Sequence, residues 1–297
     1  MNEVIETKNL TKRYGKKTVA DNVAMTVRRG DIYGFIGKNG AGKTTVMKLI
    51  SGLSRPTEGE VSLFGGENLC TARRKIGVLI ETPGLFKSCS AYENMKRFAC
   101  LTGDGDAEIN ELLEFAGLGD VGKKAVGKFS LGMKQRLGIA VAMLGNPELL
   151  ILDEPVNGLD PEGMKEVRDL VVKLNREKGV TFLISSHFLD ELSKIVTRYG
   201  IIRDGKLVEE ISVEELDKRV VNALKIVVDD GEKAETALIK SGILKSDIVR
   251  SGNELLLPVD SSAPQIVAAL VKGGAGVYEA TMLRGDKEKY LIDRMGD

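Results

Sequence analysis

Apolar and polar positions change their period several times along the chain, and each change marks an element. Three short apolar runs, Ile32 to Ile36, Glu148 to Asp153 and Val180 to Ser185, read as buried strands, the second with the length and punctuation of one covered on both faces, and Ile76 to Ile80 reads as a further strand. Between them, apolar residues recur every third or fourth position over Val46 to Ile50, Ala91 to Leu101, Ile109 to Ala116, Leu131 to Leu144 and residues 162 to 178, which predicts helices. The first thirty residues are richer in sheet signals. Short β-prone pieces around Val4-Ile5 and Val23 to Val27 flank a turn at Tyr14-Gly15-Lys16-Lys17, and Arg55 to Gly59 turns into a strand at Glu60 to Phe64. The strand from Ile76 stops at Glu81-Thr82-Pro83-Gly84, because a residue before proline is biased away from helix. Asp204-Gly205, inside Ile201 to Val208, marks a hairpin. Strand, helix and strand in this rhythm predict a largely parallel sheet with ligands at the carboxyl ends of its strands.

The character changes near residue 220. From Ala223 the order is strand (Leu224 to Val228), helix (Glu232 to Lys240), a strand pair around Ser251-Gly252-Asn253, helix (Pro264 to Val271), strand (Val277 to Leu283) and a last helix. That βαββαβ order predicts a small ferredoxin-like α+β unit. The expected organisation is therefore an α/β domain over 1–218, with a helical insert at about 88–146 and an antiparallel β edge, followed by an accessory domain over 222–297. Composition alters little: 42% hydrophobic and 29% charged residues are ordinary for a globular chain of 297 residues with a sizeable core. Lys plus Arg number 43 and so do Asp plus Glu, so no net field favours nucleic acid. Cys70, Cys89 and Cys100 are odd in number and lack metal-ligand spacing, which predicts reduced thiols in a cytosolic protein. The start, MNEVIETKNL, does not read as a signal peptide, and no stretch approaches 18 uninterrupted apolar residues, so a membrane role is expected to use another subunit.

The candidate chemistry begins at Gly37 to Thr45, GKNGAGKTT, which lies after a strand and before a helix. Strand, glycine loop and helix is the context in which GxxxxGK[ST] binds phosphate. Gly37, Gly40 and Gly42 let the backbone curl with its N–H groups inward, Lys38, Asn39, Ala41 and Thr45 complete the loop, and the helix start turns its unpaired N–H groups and positive dipole end to the same hollow. Lys43 is then placed to reach the β and γ phosphates of ATP, and the Thr44 hydroxyl to ligate Mg²⁺. Asp153, Glu154 and His187 all follow predicted parallel strands, so sheet topology brings them beside this loop.

Several further stretches occur in a fixed order. Phe129-Ser130-Leu131-Gly132-Met133-Lys134-Gln135-Arg136, then Leu149 to Asp153 with Glu154, then Gly158-Leu159-Asp160, then Ser185-Ser186-His187 follow the glycine loop. Over residues 1 to about 215 the chain resembles the ATP-binding subunits of ABC transporters, whose signature sequence, Walker B strand, D-loop and switch histidine these stretches match. The resemblance implies Mg²⁺ coordination through Asp153, for which capping a helix or turn is the alternative, and a general-base role for Glu154, for which a solvated acid is the alternative. It implies contact of His187, the chain's single histidine, with the γ-phosphate, although a histidine after a strand is more often structural. Tyr14 resembles the aromatic residue on which adenine stacks; a turn tyrosine packed on the sheet is its rival. Ser130 and Gly132 are implied to complete the site of an opposite copy, with ATP between two chains, and Asp160, in the D-loop stretch, is implied to belong to the nucleotide-binding set. Leu131 and Met133 stand where Gly and Gln are more usual. Glu81 stands where most members carry a Gln touching Mg²⁺ and the attacking water; Ile80 to Gly84 is similar to the ATPase subunits of bacitracin and lantibiotic resistance exporters, and a carboxylate there also suits Mg²⁺.

The expectation is an ATPase that works as a homodimer, or as a heterodimer with a related ATPase, around two Mg-ATP molecules. It would lie on the inner face of the cell membrane through a separate multi-span permease and drive export of a drug or peptide. The alternative is a soluble ABC-type ATPase acting on nucleic acid or the ribosome, disfavoured by the balanced charge and the single phosphate loop. A nucleotide-binding regulator without turnover is a third reading, which Lys43, Asp153 and Glu154 argue against.

Overall fold

The computed structural model describes residues 2–220, 223–242, 248–258, 263–283 and 285–296. The chain divides into two compact units, Met1–Val213 with Leu291–Asp297, and Glu214–Tyr290. Sequence reasoning drew the division at 218/222 and carried the accessory part to residue 297; the last residues instead group with the first unit.

In the first unit the elements are, in order, β1 (Glu3–Tyr14), β2 (Lys17–Val23), β3 (Thr26–Arg28), β4 (Ile32–Ile36), α1 (Lys43–Ser51), β5 (Glu58–Leu63), α2 (Leu69–Ala72), β6 (Ile76–Leu79), α3 (Ala91–Thr102), α4 (Asp106–Phe115), α5 (Leu131–Ala142), β7 (Leu149–Asp153), α6 (Pro161–Lys178), β8 (Thr181–Ser186), α7 (Leu189–Leu192), β9 (Arg198–Arg203) and β10 (Lys206–Ser212). A sheet ordered β10-β9-β4-β8-β7-β6 forms the centre, parallel from β9 to β6 and antiparallel at β10. Residues of β4, β7 and β8 are buried throughout, which explains their continuous apolar sequence. A second, antiparallel sheet places β1 between β2 and β3 and pairs it with β5.

Two local readings need correction. The β-prone start is one twelve-residue strand, β1, with register shifts, rather than a short piece at Val4-Ile5. The Val23 to Val27 piece is split between β2 and β3. The buried Thr7 hydroxyl donates to Val23 O (3.0 Å) and accepts from Met25 N–H (3.0 Å), so a side chain replaces ladder bonds where the strand breaks. The short helices α2 and α7 also escaped the pattern, being only four residues long.

The helical insert is built on local signals. Ser90 accepts from Glu93 N–H while the Glu93 carboxylate takes the Ser90 N–H, a reciprocal cap on α3. Ser130 caps α5 by accepting from Met133 N–H at 3.2 Å. The loop after β6 lies hard against α5: a Cβ on Gly138 would meet Pro83 Cγ at 2.8 Å. Only glycine admits that approach.

The second unit starts with α8 (Val213–Arg219), whose first residue belongs to the first unit, and continues through β11 (Ala223–Val228), α9 (Gly231–Ser241), β12 (Val249–Ser251), β13 (Glu254–Pro258), α10 (Ala263–Lys272) and β14 (Val277–Leu283); α11 (Lys287–Met295) runs on into the residues that group with the first unit. Its antiparallel sheet is ordered β12-β13-β11-β14, the split arrangement that βαββαβ connectivity produces. Leu224, Ile226, Val228, Leu255 and Leu257 form a core with Ala234 and Leu238 of α9 and Ile266 and Leu270 of α10.

Candidate functional site

The parallel register decides what meets what. Ile36 lies beside Ser186, and Asp153 beside Ser185, so the carboxyl ends of β4, β7 and β8 are level. The glycine loop, the acidic pair and the histidine leave the sheet from one edge.

In the loop, Gly40 and Gly42 have φ of 81° and 108°, the left-handed region that favours glycine. A Cβ on Gly42 would lie 2.5 Å from Val19 O. Gly42 is the N-cap of α1 and provides no side-chain cap, so the first N–H groups of this helix keep their capacity for an anion. Lys43 is 5% exposed; its ammonium donates to Gly37 O at 2.6 Å and Lys38 O at 3.3 Å, and lies 3.3 Å from Glu154 Oε1. The buried cation is thus held by two carbonyls and one carboxylate.

Asp153 receives two hydroxyls. Thr44 Oγ1 donates to Oδ2 at 2.7 Å, and Ser185 Oγ donates to Oδ1 at 2.5 Å. Ser185 Oγ in turn accepts the Glu154 N–H at 2.8 Å. Glu154 adopts φ of 50°, a left-handed backbone that costs a non-glycine residue about 1 kcal/mol or more. The bond from Ser185 and a 2.8 Å contact between Glu154 Oε2 and His187 Nδ1 hold it there. Glu154 Oε1 is buried without a hydrogen-bond partner among the described residues, its 3.3 Å approach to Lys43 being an ion pair only. A buried carboxylate oxygen lacking a donor is a place for one, and water fits that chemistry.

The donor set suits Mg²⁺. Among the described residues no group of three or more His, Cys, Asp or Glu could hold a metal alone. Thr44 hydroxyl beside Asp153 carboxylate is instead the sparse protein contribution that Mg²⁺ takes when phosphates and water complete its octahedron.

The pocket over the loop has a volume of about 200 Å³ and is lined by Val19, Asn39, Gly40, Gly42, Lys43, Thr44, Thr45 and Glu154. Ser130, Gly132 and Asp160 are not among its walls. They form a second group: a Cβ on Gly132 would lie 3.4 Å from Gly163 Cα, and Asp160 caps α6 by accepting the Gly163 N–H at 3.1 Å. The tips of α5 and α6 therefore adjoin one another. Lys38 and Ala41 face a different hollow of about 460 Å³, bounded also by Arg203, Asp204, Met295 and Gly296. Tyr14 is 53% exposed, with the Lys12 ammonium 5.1 Å from its ring centroid, so its face is not packed away on the sheet.

Glu81 is engaged elsewhere than expected. Its backbone has φ of 64°, and its Oε1 accepts from Lys48 Nζ at 2.7 Å. Hydrogen bonding to Lys48, reinforced by the opposite charge, holds the Glu81 carboxyl below the usual range, and Glu81 raises the Lys48 ammonium in return. The carboxyl value is depressed, so the pair is intact above the usual carboxylate range and is lost as pH falls through the lowered value.

Sequence reasoning missed two participants. Ser185, in the sequence only the end of a strand and a neighbour of His187, ties Asp153 to Glu154; the signal is its place level with Asp153 on the neighbouring strand. Lys48 was read only as part of a helix face, although it lies one turn after Thr44, on the side from which Glu81 arrives.

Residues 20–157 match the family profile described as ABC transporter. The chain is 43% identical over 300 residues to the bacitracin transport ATP-binding protein BcrA of Enterococcus faecalis, covering all of this chain and 97% of that protein. It is 45% identical over 207 residues to the lantibiotic transport ATP-binding protein SrtF of Streptococcus pyogenes, covering 70% of this chain and 90% of that one. Among solved structures, cbiO1 from Clostridium perfringens, part of the ABC transporter complex cbiONQ, superposes with a TM-score of 0.65 at 25% identity, over 74% of this chain and 95% of that chain. The dimeric post-hydrolysis state of the ATP-binding cassette MJ0796, bound to ADP and Pi, does so with a TM-score of 0.63 at 27% identity, over 70% and 98%. Phosphate loop, acidic strand end, serine-capped helix and these relatives agree: the chain belongs to the ABC transporter family, as an ATP-binding and ATP-hydrolysing subunit.

Proposed function

We propose that two copies of this chain, or one with a related ATPase, close around two Mg-ATP molecules and drive a separate membrane permease that exports a peptide or drug. One observation carries the two-copy reading. The phosphate pocket of one chain, at about 200 Å³, is smaller than the roughly 300 Å³ at which small-molecule pockets begin, and the group at Ser130, Gly132 and Asp160 supplies none of its walls. A nucleotide seated on one loop is left open on one side, and the α5 tip, with a hydroxyl, N–H groups and a helix dipole, has the chemistry to cover it from a second chain.

Within each site the roles follow from the contacts. On ATP entry the Lys43 ammonium exchanges Glu154 for phosphate oxygens. Glu154 Oε1 is then free to accept a proton from water, while His187 steadies Oε2 and Ser185 fixes the backbone. Thr44 and Asp153 would hold Mg²⁺, which when bound would supply charge neutralisation at the phosphates. Tyr14, exposed and with the Lys12 ammonium over its ring, is the aromatic side chain offered to adenine.

Glu81 sits at the start of a loop whose Pro83 presses on α5, the helix tipped by Ser130, so it links the metal side of the site to the trans-acting tip. Its carboxylate, paired with Lys48 here, would be a further oxygen donor for Mg²⁺ beside Thr44 and Asp153. Glu81→Gln keeps the oxygen and loses only the ion pair of an exposed carboxylate with half-buried Lys48, so steady-state hydrolysis is expected within a few-fold of the parent. Complete loss of hydrolysis in a folded variant would show that the role is misassigned.

The relatives named for bacitracin and lantibiotic transport support an exporting permease as the partner. Among the described residues no helix is long and apolar enough to cross a membrane, so the translocation path belongs to that partner, and the chain would sit on the inner face of the cell membrane. A groove of about 840 Å³ between β6 and the insert, with Leu101 85% exposed at its rim, is the surface we assign to that partner. Co-purification with a multi-span membrane protein tests this reading. Recovery instead with ribosomes or nucleic acid would favour the soluble-machine alternative.

A further inference from the structure

We propose that the accessory unit binds a second copy of this chain by pairing its β14 edge with the same strand of the partner. The two edges of the accessory sheet differ. β12 is three residues long and carries Arg250, which is ion-paired to Glu235 at 2.9 Å. Short and charged edges resist pairing. β14 runs for seven residues, pairs only with β11 among the described strands, and is exposed from Tyr278 through Leu283. Tyr278 is 75%, Met282 46% and Leu283 41% exposed, Glu279 is its one charge, and it has no proline. Apart from the bulge at Tyr278 near its start, this edge has none of the devices that blunt strand addition.

The sequence of β14 selects a second copy as the occupant. Two identical strands that overlap completely and antiparallel must cross at the middle residue, Ala280. That register sets Tyr278 opposite Met282, Val277 opposite Leu283, and Glu279 opposite Thr281 of the other chain. Apolar residues meet apolar ones, and no charge faces its like directly. Lys225, beside Thr281 on β11 and ion-paired to Glu254 at 2.8 Å, adds a weaker positive field at Glu279. β11 and β14 slip register between Glu279 and Val277, which leaves Tyr278 as an extra residue in a bulge near the start of β14, while Glu279 to Leu283 pair regularly. A single strand pair buries less than the roughly 1,600 Å² of a standard interface, so it joins the chains weakly and gains strength when a second contact holds them together. The inference leans on the two-copy reading above only for that second contact.

The test is a disulfide at the crossing point. In full-length chain with Cys70, Cys89 and Cys100 changed to Ser, Ala280→Cys puts two thiols opposite each other, at the roughly 4.5 to 5.5 Å Cα separation of an antiparallel pair, within disulfide range. Mild oxidation is expected to yield covalent dimers of the chain at least ten times faster than the control Ser251→Cys on the blunted edge, with ATP accelerating the reaction further. Adding Tyr278→Lys and Met282→Lys, which places like charges across the pair, should slow it to the control rate. Ala280→Cys dimers no faster than those of Ser251→Cys would overturn the proposal, as would exclusive cross-linking to a co-expressed permease. If Ala280→Cys cross-links at the expected rate but ATP does not accelerate it, strand pairing stands and the nucleotide-sandwich reading fails.

Discussion

Replacing Glu154 with Gln is expected to reduce steady-state phosphate release by roughly a hundred- to ten-thousand-fold, the range that a positioned general base contributes. Geometry argues that the fold survives. Gln has the same shape, leaves the backbone bond from Ser185 in place, and still offers a hydrogen-bonding group to His187 Nδ1. What changes is charge. Lys43 loses the carboxylate 3.3 Å away, and the pocket that must admit polyphosphate loses its nearest anion. ATP affinity should therefore stay the same or rise while turnover stops. Fluorescent-nucleotide titration beside a phosphate-release assay reads both. Turnover within tenfold of the parent would mean that another group takes the proton from water.

The second large effect concerns a residue outside its own chain's phosphate pocket. Ser130→Glu is expected to leave single-chain ATP affinity unchanged and to abolish ATP-driven joining of two chains, with turnover falling more than a hundredfold. Ser130 is exposed, so the new side chain meets no core. The lost cap costs about 1 kcal/mol, and a carboxylate at a helix N-terminus returns roughly 0.3–1 kcal/mol, so stability is nearly unchanged. Against a partner's phosphates the same carboxylate removes a donor and adds repulsion. Two sites losing about 1.5 kcal/mol each amount to about 3 kcal/mol, which exceeds a hundredfold in dimer affinity. A variant that bound ATP as weakly in the single chain as in the pair would place Ser130 in its own chain's pocket instead.

The parts legible in the sequence were those whose physics is local. The glycine loop announced itself because φ above zero and close backbone approach require glycine, and Gly40 and Gly42 adopt such angles. Buried parallel strands announced themselves as unbroken apolar runs, and β7 and β8 are buried at every position. Features made by contacts distant in sequence stayed hidden. Thr7 splits a strand through bonds to residues sixteen and eighteen positions away. Lys48 captures Glu81 across thirty-three residues, and nothing in either neighbourhood marks the pair. The division between the units was displaced because a helical pattern at the end of a chain does not reveal which core receives it; Leu291 and Met295 are buried and group with the first unit. Glu81 itself was noticed only as a departure from a family pattern, and its engagement by an ammonium required coordinates.

The central claim is that nucleotide on the loop of one chain is sealed by the serine-capped helix of another. Light scattering of the Glu154→Gln chain with and without ATP tests it most directly, run beside the Ser130→Glu/Glu154→Gln double variant. The account predicts that ATP takes Glu154→Gln from one chain to two, and leaves the double variant at one although it binds nucleotide equally well. Two chains in the double variant, or one chain in Glu154→Gln at saturating ATP, would contradict it.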